Sequence, residues 1–195
     1  YIHAFGFMLQ LCTTIVDKPF ITKSPIEESD AKAKRIFLNQ VISSDLYDNN
    51  LVKDTISVEP TPLLGNKRNI DIYRAKKNNQ VIAVIIEVVA PDGYSGEIKT
   101  LVGIDQEDKI LGVRVISHKE TPGLGDYIEI DKSQWIKNFD LMSLEKISEK
   151  KWAVKKDGGD FDYVSGATIT PRAVIKSTYK CLLFSKENKK RLFTS

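Results

Sequence analysis

Apolar and polar positions divide the chain into regimes of different period. From residue 51 to 115 they follow the two-residue rhythm of strands. Ile70, Ile72 and Tyr73 lead into the turn Lys76-Lys77-Asn78-Asn79, and residues 81–89 form a long β-branched run. Residues 97–104 alternate, with Ile98 and Thr100 on one side and Leu101 breaking the pattern. Gln106-Glu107-Asp108-Lys109 is a second polar turn before Ile110, Val113 and Val115. Strands joined by short polar turns predict an antiparallel sheet.

Helical spacing appears on both sides of that block. Ser24-Pro25-Ile26-Glu27 carries a hydroxyl N-cap, a proline at the first helical position and a capping-box glutamate. Ala33, Ile36, Phe37 and Val41 then supply an apolar face, with Lys32, Lys34 and Arg35 solvated. Near the other end, Val174, Ile175, Thr178, Cys181 and Leu182 form a buried stripe. That stripe follows Thr170-Pro171, where Thr170 fits the N-cap and Pro171 the first turn. Trp135, Ile136 and Phe139 predict a short helix closing the core, and Trp152-Ala153-Val154 a last strand. The expected class is α+β, a mainly antiparallel sheet with flanking helices.

Residues 1–16 are mostly apolar and uncharged, interrupted by His3, Gln10 and Thr13-Thr14. A membrane span takes ~20 apolar residues, ~17 at the least, and this stretch falls just short. A membrane anchor cut short by the start at Tyr1, an uncleaved signal-like segment and a buried helix all fit it. The division that follows is a transmembrane helix over 1–16, a helical connector over 17–44, a main domain over 45–185 and a basic tail over 186–195.

With 195 residues, 42% of them hydrophobic, the chain can bury one substantial core. A net charge of +3, mixed in sign, leaves no nucleic-acid footprint. Cys12 and Cys181 are far apart and without metal-ligand or CxxC spacing, so both read as small buried apolar residues.

Three stretches carry candidate chemistry. Ser165-Gly166-Ala167-Thr168 lies at the mouth of the C-terminal helix, where free N–H groups and the helix dipole favour an anion. Gly166 and Ala167 offer little steric hindrance, and Thr168 presents a hydroxyl suited to carrying a phosphate. Ala90-Pro91-Asp92-Gly93-Tyr94-Ser95-Gly96 is a turn-rich hairpin loop. Ser117-His118-Lys119-Glu120-Thr121-Pro122-Gly123-Leu124-Gly125-Asp126 is tight and exposed. His118 and Glu120 suggest an acid–base pair, but a loop lining a cofactor fits better. A metal lacks a third ligand. Lys155 and Lys156, after the predicted last strand, can neutralise a phosphate. On residues alone the motif is also compatible with a plain capped helix following a turn.

Asp162-x-x-Ser165-Gly166-Ala167-Thr168 resembles the flavinylation motif of proteins that carry FMN through a threonine phosphoester. Together with residues 152–162, 90–96 and Glu120-Thr121-Pro122-Gly123-Leu124-Gly125, it is similar to the RnfG family, a component of Rnf-type ion-translocating electron transport complexes. It is also similar, more distantly, to the NqrC component of the sodium-pumping NADH:quinone reductase. The resemblance runs from about residue 51 to 183 and is weak before residue 45. It implies covalent FMN on Thr168, attached by a flavin transferase that requires Asp162. Around the flavin it implies Ser165, Gly166, Ala167, Gly93, Tyr94, Ser95, Glu120, Thr121, Gly123, Leu124 and Lys155. It also implies a single transmembrane helix, an inner-membrane location with the domain on the periplasmic side, and other subunits of the complex as partners. Thr170 is the rival attachment residue. A cofactor-free scaffold and a non-covalent FMN enzyme are the alternative functions.

Overall fold

The computed structural model describes residues 25–194. The predicted span at 1–16 and the Ser24 cap lie outside them. Five strands form one antiparallel sheet in the order β1-β2-β3-β4-β5: Thr55–Val58, Ile70–Lys77, Gln80–Gly93, Gly96–Asp105 and Ile110–Ser117. Each strand pairs with its sequence neighbour. Asn78 and Asn79, both at positive φ, make the tight turn between β2 and β3.

Both faces of the sheet are covered, which explains the unbroken apolar run in β3. On one face Val84, Ile86 and Val88 of β3 and Ile98, Val102 and Ile104 of β4 join a core with Val174, Ile175, Cys181 and Leu182 of α2 (Ile169–Glu187). On the other, Ala83, Ile85 and Leu101 pack with Leu38, Val41 and Ile42 from the end of α1 (Pro25–Val41) and just beyond. Leu101 therefore does not break the alternation; it faces the second layer. Gly103 and Gly112 pair across β4 and β5. A Cβ on Gly103 would stand 2.5 Å from Val41 Cγ1, so the bare backbone lets α1 approach closely.

Three expectations need correction. The face of α1 that packs on the sheet is Leu38 and Val41, whereas Ala33, Ile36 and Phe37 are exposed. Lys34, expected to be solvated, lies over the Tyr73 ring of β2 at 5.1 Å, so the helical spacing of Ala33, Ile36 and Phe37 does not report the packed face. Residues 152–154 do not add a strand to the sheet. Val154 makes a single parallel bridge to Phe161, between short 3-10 turns at Glu149–Lys151 and Lys155–Asp157. Of the stretch set apart by charge, Lys186 and Glu187 end α2 and Lys189–Phe193 form α3, with Leu192 fully buried. No helix among the described residues is long and apolar enough to cross a membrane.

Candidate functional site

The loop leading into α2 has little regular structure, and aromatic side chains hold it. Trp135 Nε1 donates to the Asp162 carbonyl at 2.6 Å, and the Tyr127 hydroxyl donates to the Ala167 carbonyl at 3.2 Å. Trp135 stands edge-on to Tyr127 and Phe139 at 5.5 and 5.6 Å between ring centroids. Phe161 packs on Phe139 at 4.8 Å and on Trp152 at 5.5 Å. This aromatic platform takes the place of the expected strand. Burial raises the Tyr127 phenol to about 12, so it serves as a donor throughout the ordinary pH range.

Between Val164 and Ala167 the chain turns back on itself, with Ala167 N–H donating to the Val164 carbonyl at 3.0 Å. Gly166 has φ +89°, as the third position of a type II turn requires, and nothing lies within 4 Å of where its Cβ would be. Helix α2 begins at Ile169, two residues before Pro171, so Thr168 and not Thr170 is the cap residue. The Thr168 hydroxyl makes no capping hydrogen bond. Thr170 is buried, and its hydroxyl donates to Glu120 Oε2 at 2.5 Å.

Glu120 is 5% exposed and joins three segments of the chain. Its Oε1 accepts the Ser95 N–H at 3.1 Å, from the two-residue tip of the β3–β4 hairpin. Its own N–H donates to His118 Nδ1 at 3.0 Å, while His118 Nε2 lies 2.5 Å from Glu129 Oε1. Nδ1 is thus an acceptor and the ring proton sits on Nε2, facing Glu129. His118 and Glu120 do not form a side-chain acid–base pair. The hairpin loop is also shorter than expected: β3 and β4 extend to Gly93 and Gly96, leaving Tyr94 and Ser95 at the tip.

These segments enclose a cavity of about 130 Å³ lined by Tyr94, Glu120, Thr121, Leu124, Gly125, Gly166, Ala167, Thr168, Ile169 and Thr170. Tyr94, Leu124 and Ile169 are exposed apolar side chains within this lining. Of the residues singled out from sequence, Tyr94, Glu120, Thr121, Leu124, Gly166, Ala167 and Thr168 meet here. Gly93, Ser95, Gly123 and Ser165 belong to the same loops without lining it. Asp162 and Lys155 lie off the wall and pair with each other, Nζ to Oδ1 at 2.5 Å. Gly125, from the Glu120–Gly125 stretch, and Thr170, the rival attachment residue, also line the cavity, as does Ile169, which the sequence did not single out. Thr170 carried a capping signal that disguised its inward contact.

Residues 93–183 match the family described as the FMN-binding domain. Over most of its length the chain is similar to the RnfG component of the ion-translocating oxidoreductase complex of several bacteria. The protein from Haemophilus influenzae is 46% identical over 184 residues, 94% of this chain and 87% of the relative. That of Aliivibrio fischeri is 44% identical over 174 residues, 89% and 83% of the two chains. That of Shewanella piezotolerans is 38% identical over 193 residues, 97% and 90% of the two. This chain belongs to the RnfG family. The cavity lies within the matched domain, with the Tyr94 tip at one border and Thr168 near the other.

The residues present fit a flavin nucleotide. A half-buried hydroxyl without a capping partner faces a cavity with apolar side chains on one part of its wall and open space above Gly166. At the start of α2 the Ile169 and Thr170 N–H groups precede the first backward bond, from Arg172 N–H to the Thr168 carbonyl at 3.4 Å. Pro171 has no N–H to leave unpaired.

Proposed function

We propose that this chain is the electron-carrying subunit of a membrane-bound, ion-translocating complex and holds FMN through a phosphoester to Thr168. The observation that carries the reading is the uncommitted Thr168 hydroxyl in a cavity shared by all three sequence-predicted loops. The bound isoalloxazine supplies the redox chemistry, accepting and releasing electrons. The chain supplies position. The free N–H groups and positive end of α2 face an ester phosphate on Thr168. Tyr94, Leu124 and Ile169 give an apolar wall to a flat ring.

A cavity of about 130 Å³ falls well below the roughly 300 Å³ of sites that engulf a ligand of this size. Much of the ring therefore stays outside, open to a neighbouring redox subunit. Little enclosed surface means weak non-covalent retention, and an ester bond removes that weakness. On the periplasmic side of the inner membrane, where lost FMN is not replaced, the bond has a clear use. Residues 1–16 serve as the anchor in this reading. Asp162, Ser165 and Gly166 form an exposed turn that a flavin transferase can reach, with Lys155 balancing the Asp162 charge.

The test is intact mass after denaturation, on protein produced together with its flavin transferase. Wild type is expected to gain the mass of one FMN less one water, and Thr168→Ala to gain nothing. Thr170→Val is expected to keep the flavin, because the Thr170 hydroxyl is engaged by Glu120. Colour released by denaturation points instead to non-covalent FMN. An unmodified wild type, with the transferase active on a control substrate, supports the cofactor-free scaffold.

A further inference from the structure

We propose that Glu120 sets the electron affinity of the flavin as a fixed buried charge, rather than gripping the cofactor. The inference rests on FMN at Thr168. Both carboxylate oxygens are already committed, one to the Ser95 N–H and one to the Thr170 hydroxyl. All the partners are donors, the arrangement an ionised carboxylate takes. The carboxylate lies close against the Gly93 and Gly125 backbones, where only glycine leaves it space. A Cβ at Gly93 would stand 2.9 Å from Oε1, and one at Gly125 would stand 2.9 Å from Oε2. None of the ion pairs among the described residues involves Glu120. A negative charge without a cationic partner therefore borders the cavity that holds Thr168.

Electron uptake adds one negative charge to the ring system and breaks no bond. The electron comes from a reduced subunit of the complex, or from dithionite in an assay. A fixed carboxylate on the wall opposes that added charge, in a site where screening by water is incomplete. Glu120 thus makes the flavin harder to reduce and, once reduced, a stronger donor. It is a positioning residue as well, because it ties the hairpin tip to the helix start.

The experiment is a dithionite titration of purified flavinylated protein, with flavin occupancy on Thr168 checked by mass. Glu120→Gln keeps the shape and removes the charge. Its one-electron midpoint is expected to move positive by about 59 mV, the equivalent of a tenfold change in the reduction equilibrium. Glu120→Asp, which restores the charge, is expected to return the midpoint toward wild type. Glu120→Gln with attached flavin and an unchanged midpoint overturns this inference alone. Wild type without flavin on Thr168 overturns the reading beneath it. Should Glu120→Gln not fold, reduction-minus-oxidation infrared spectra of wild type with ¹³C-labelled glutamate decide. A glutamate carboxylate band that moves on reduction supports the proposal, and a spectrum with none overturns it.

Discussion

Gly158 and Gly159 are adjacent in the turn that precedes the Thr168 loop, yet replacing each with alanine probes a different force. Gly158 has φ +85°, and nothing lies within 4 Å of the position a Cβ would take. Alanine there meets only the left-handed backbone penalty, about 1 kcal/mol. Gly159 has no such dihedral, but its Cβ would lie 1.9 Å from the Ala153 carbonyl oxygen and 2.3 Å from the carbonyl carbon. Those atoms are backbone, so the turn itself must open. Three of the hydrogen bonds that close it run beside that contact: Lys155 N–H to the Phe161 carbonyl at 2.8 Å, Gly159 N–H to Val154 at 3.2 Å and Phe161 N–H to Ala153 at 3.1 Å. At about 1 kcal/mol each, Gly159→Ala costs about 3 kcal/mol. In a domain of this size, 1 kcal/mol lowers Tm by roughly 2–4 °C. Gly158→Ala should therefore lose about 2–4 °C and Gly159→Ala about 6–12 °C, read by circular dichroism melts and urea titrations. Asparagine, which tolerates the left-handed region, should recover part of the loss at position 158 and none at 159. Phe161 is displaced along with the turn, so flavin loading should fall in the Gly159 variant and hold in the other. Equal losses at the two positions, or the reverse order, would refute the steric argument.

Other consequences can be measured directly. Tyr127 ionises at about 12 in the folded protein against about 10 when unfolded. The unfolded chain thus releases this proton first, and the Tyr127 contribution to stability, complete below pH 10, is lost as pH rises to 12. Tyr127→Phe should flatten that limb of a stability–pH curve; an unchanged slope would contradict the burial argument. Thr170→Val leaves the buried Glu120 Oε2 without its donor and should cost about 1–3 kcal/mol in urea titrations, more than loss of an ordinary cap. Burial also pushes the Cys181 thiol well up. Peptide mapping after a maleimide pulse at pH 8 should find Cys181 unlabelled in the native protein and labelled in urea.

The sheet was legible from the chain because alternating or β-branched runs are separated by short polar turns. Residues 78–79 and 106–109 mark their hairpins without ambiguity. Leu101 was misread because alternation assumes one buried face, and only the docking of Leu38 and Val41 reveals the second. For α1 the reverse held: Ala33, Ile36 and Phe37 have helical spacing but remain exposed. The turn over 152–161 defeated strand logic because its bonds run within itself and its anchor is an aromatic cluster assembled from distant positions. The three candidate loops were found by motif; the family resemblance implied that they meet around one ligand, which spacing along the chain alone does not reveal. The role of Glu120 was hidden for the same reason: its partners are 25 and 50 residues away.

Strands β1 to β5 each pair with the next in the chain, so the meander can form from local contacts. Helix α2 packs over it, reached through the aromatic turn. The cavity is the seam between those two parts, fastened by the Thr170–Glu120 bond. A group tethered on the α2 side and resting against the hairpin tip spans that seam. Tethering converts its docking into an intramolecular step, at an effective concentration of order millimolar that dilution cannot lower. A flavin attached as proposed would act as a clasp as well as a cofactor. Its attachment should slow hydrogen exchange at the Ser95 and Gly125 amides while leaving the β1–β2 edge unchanged.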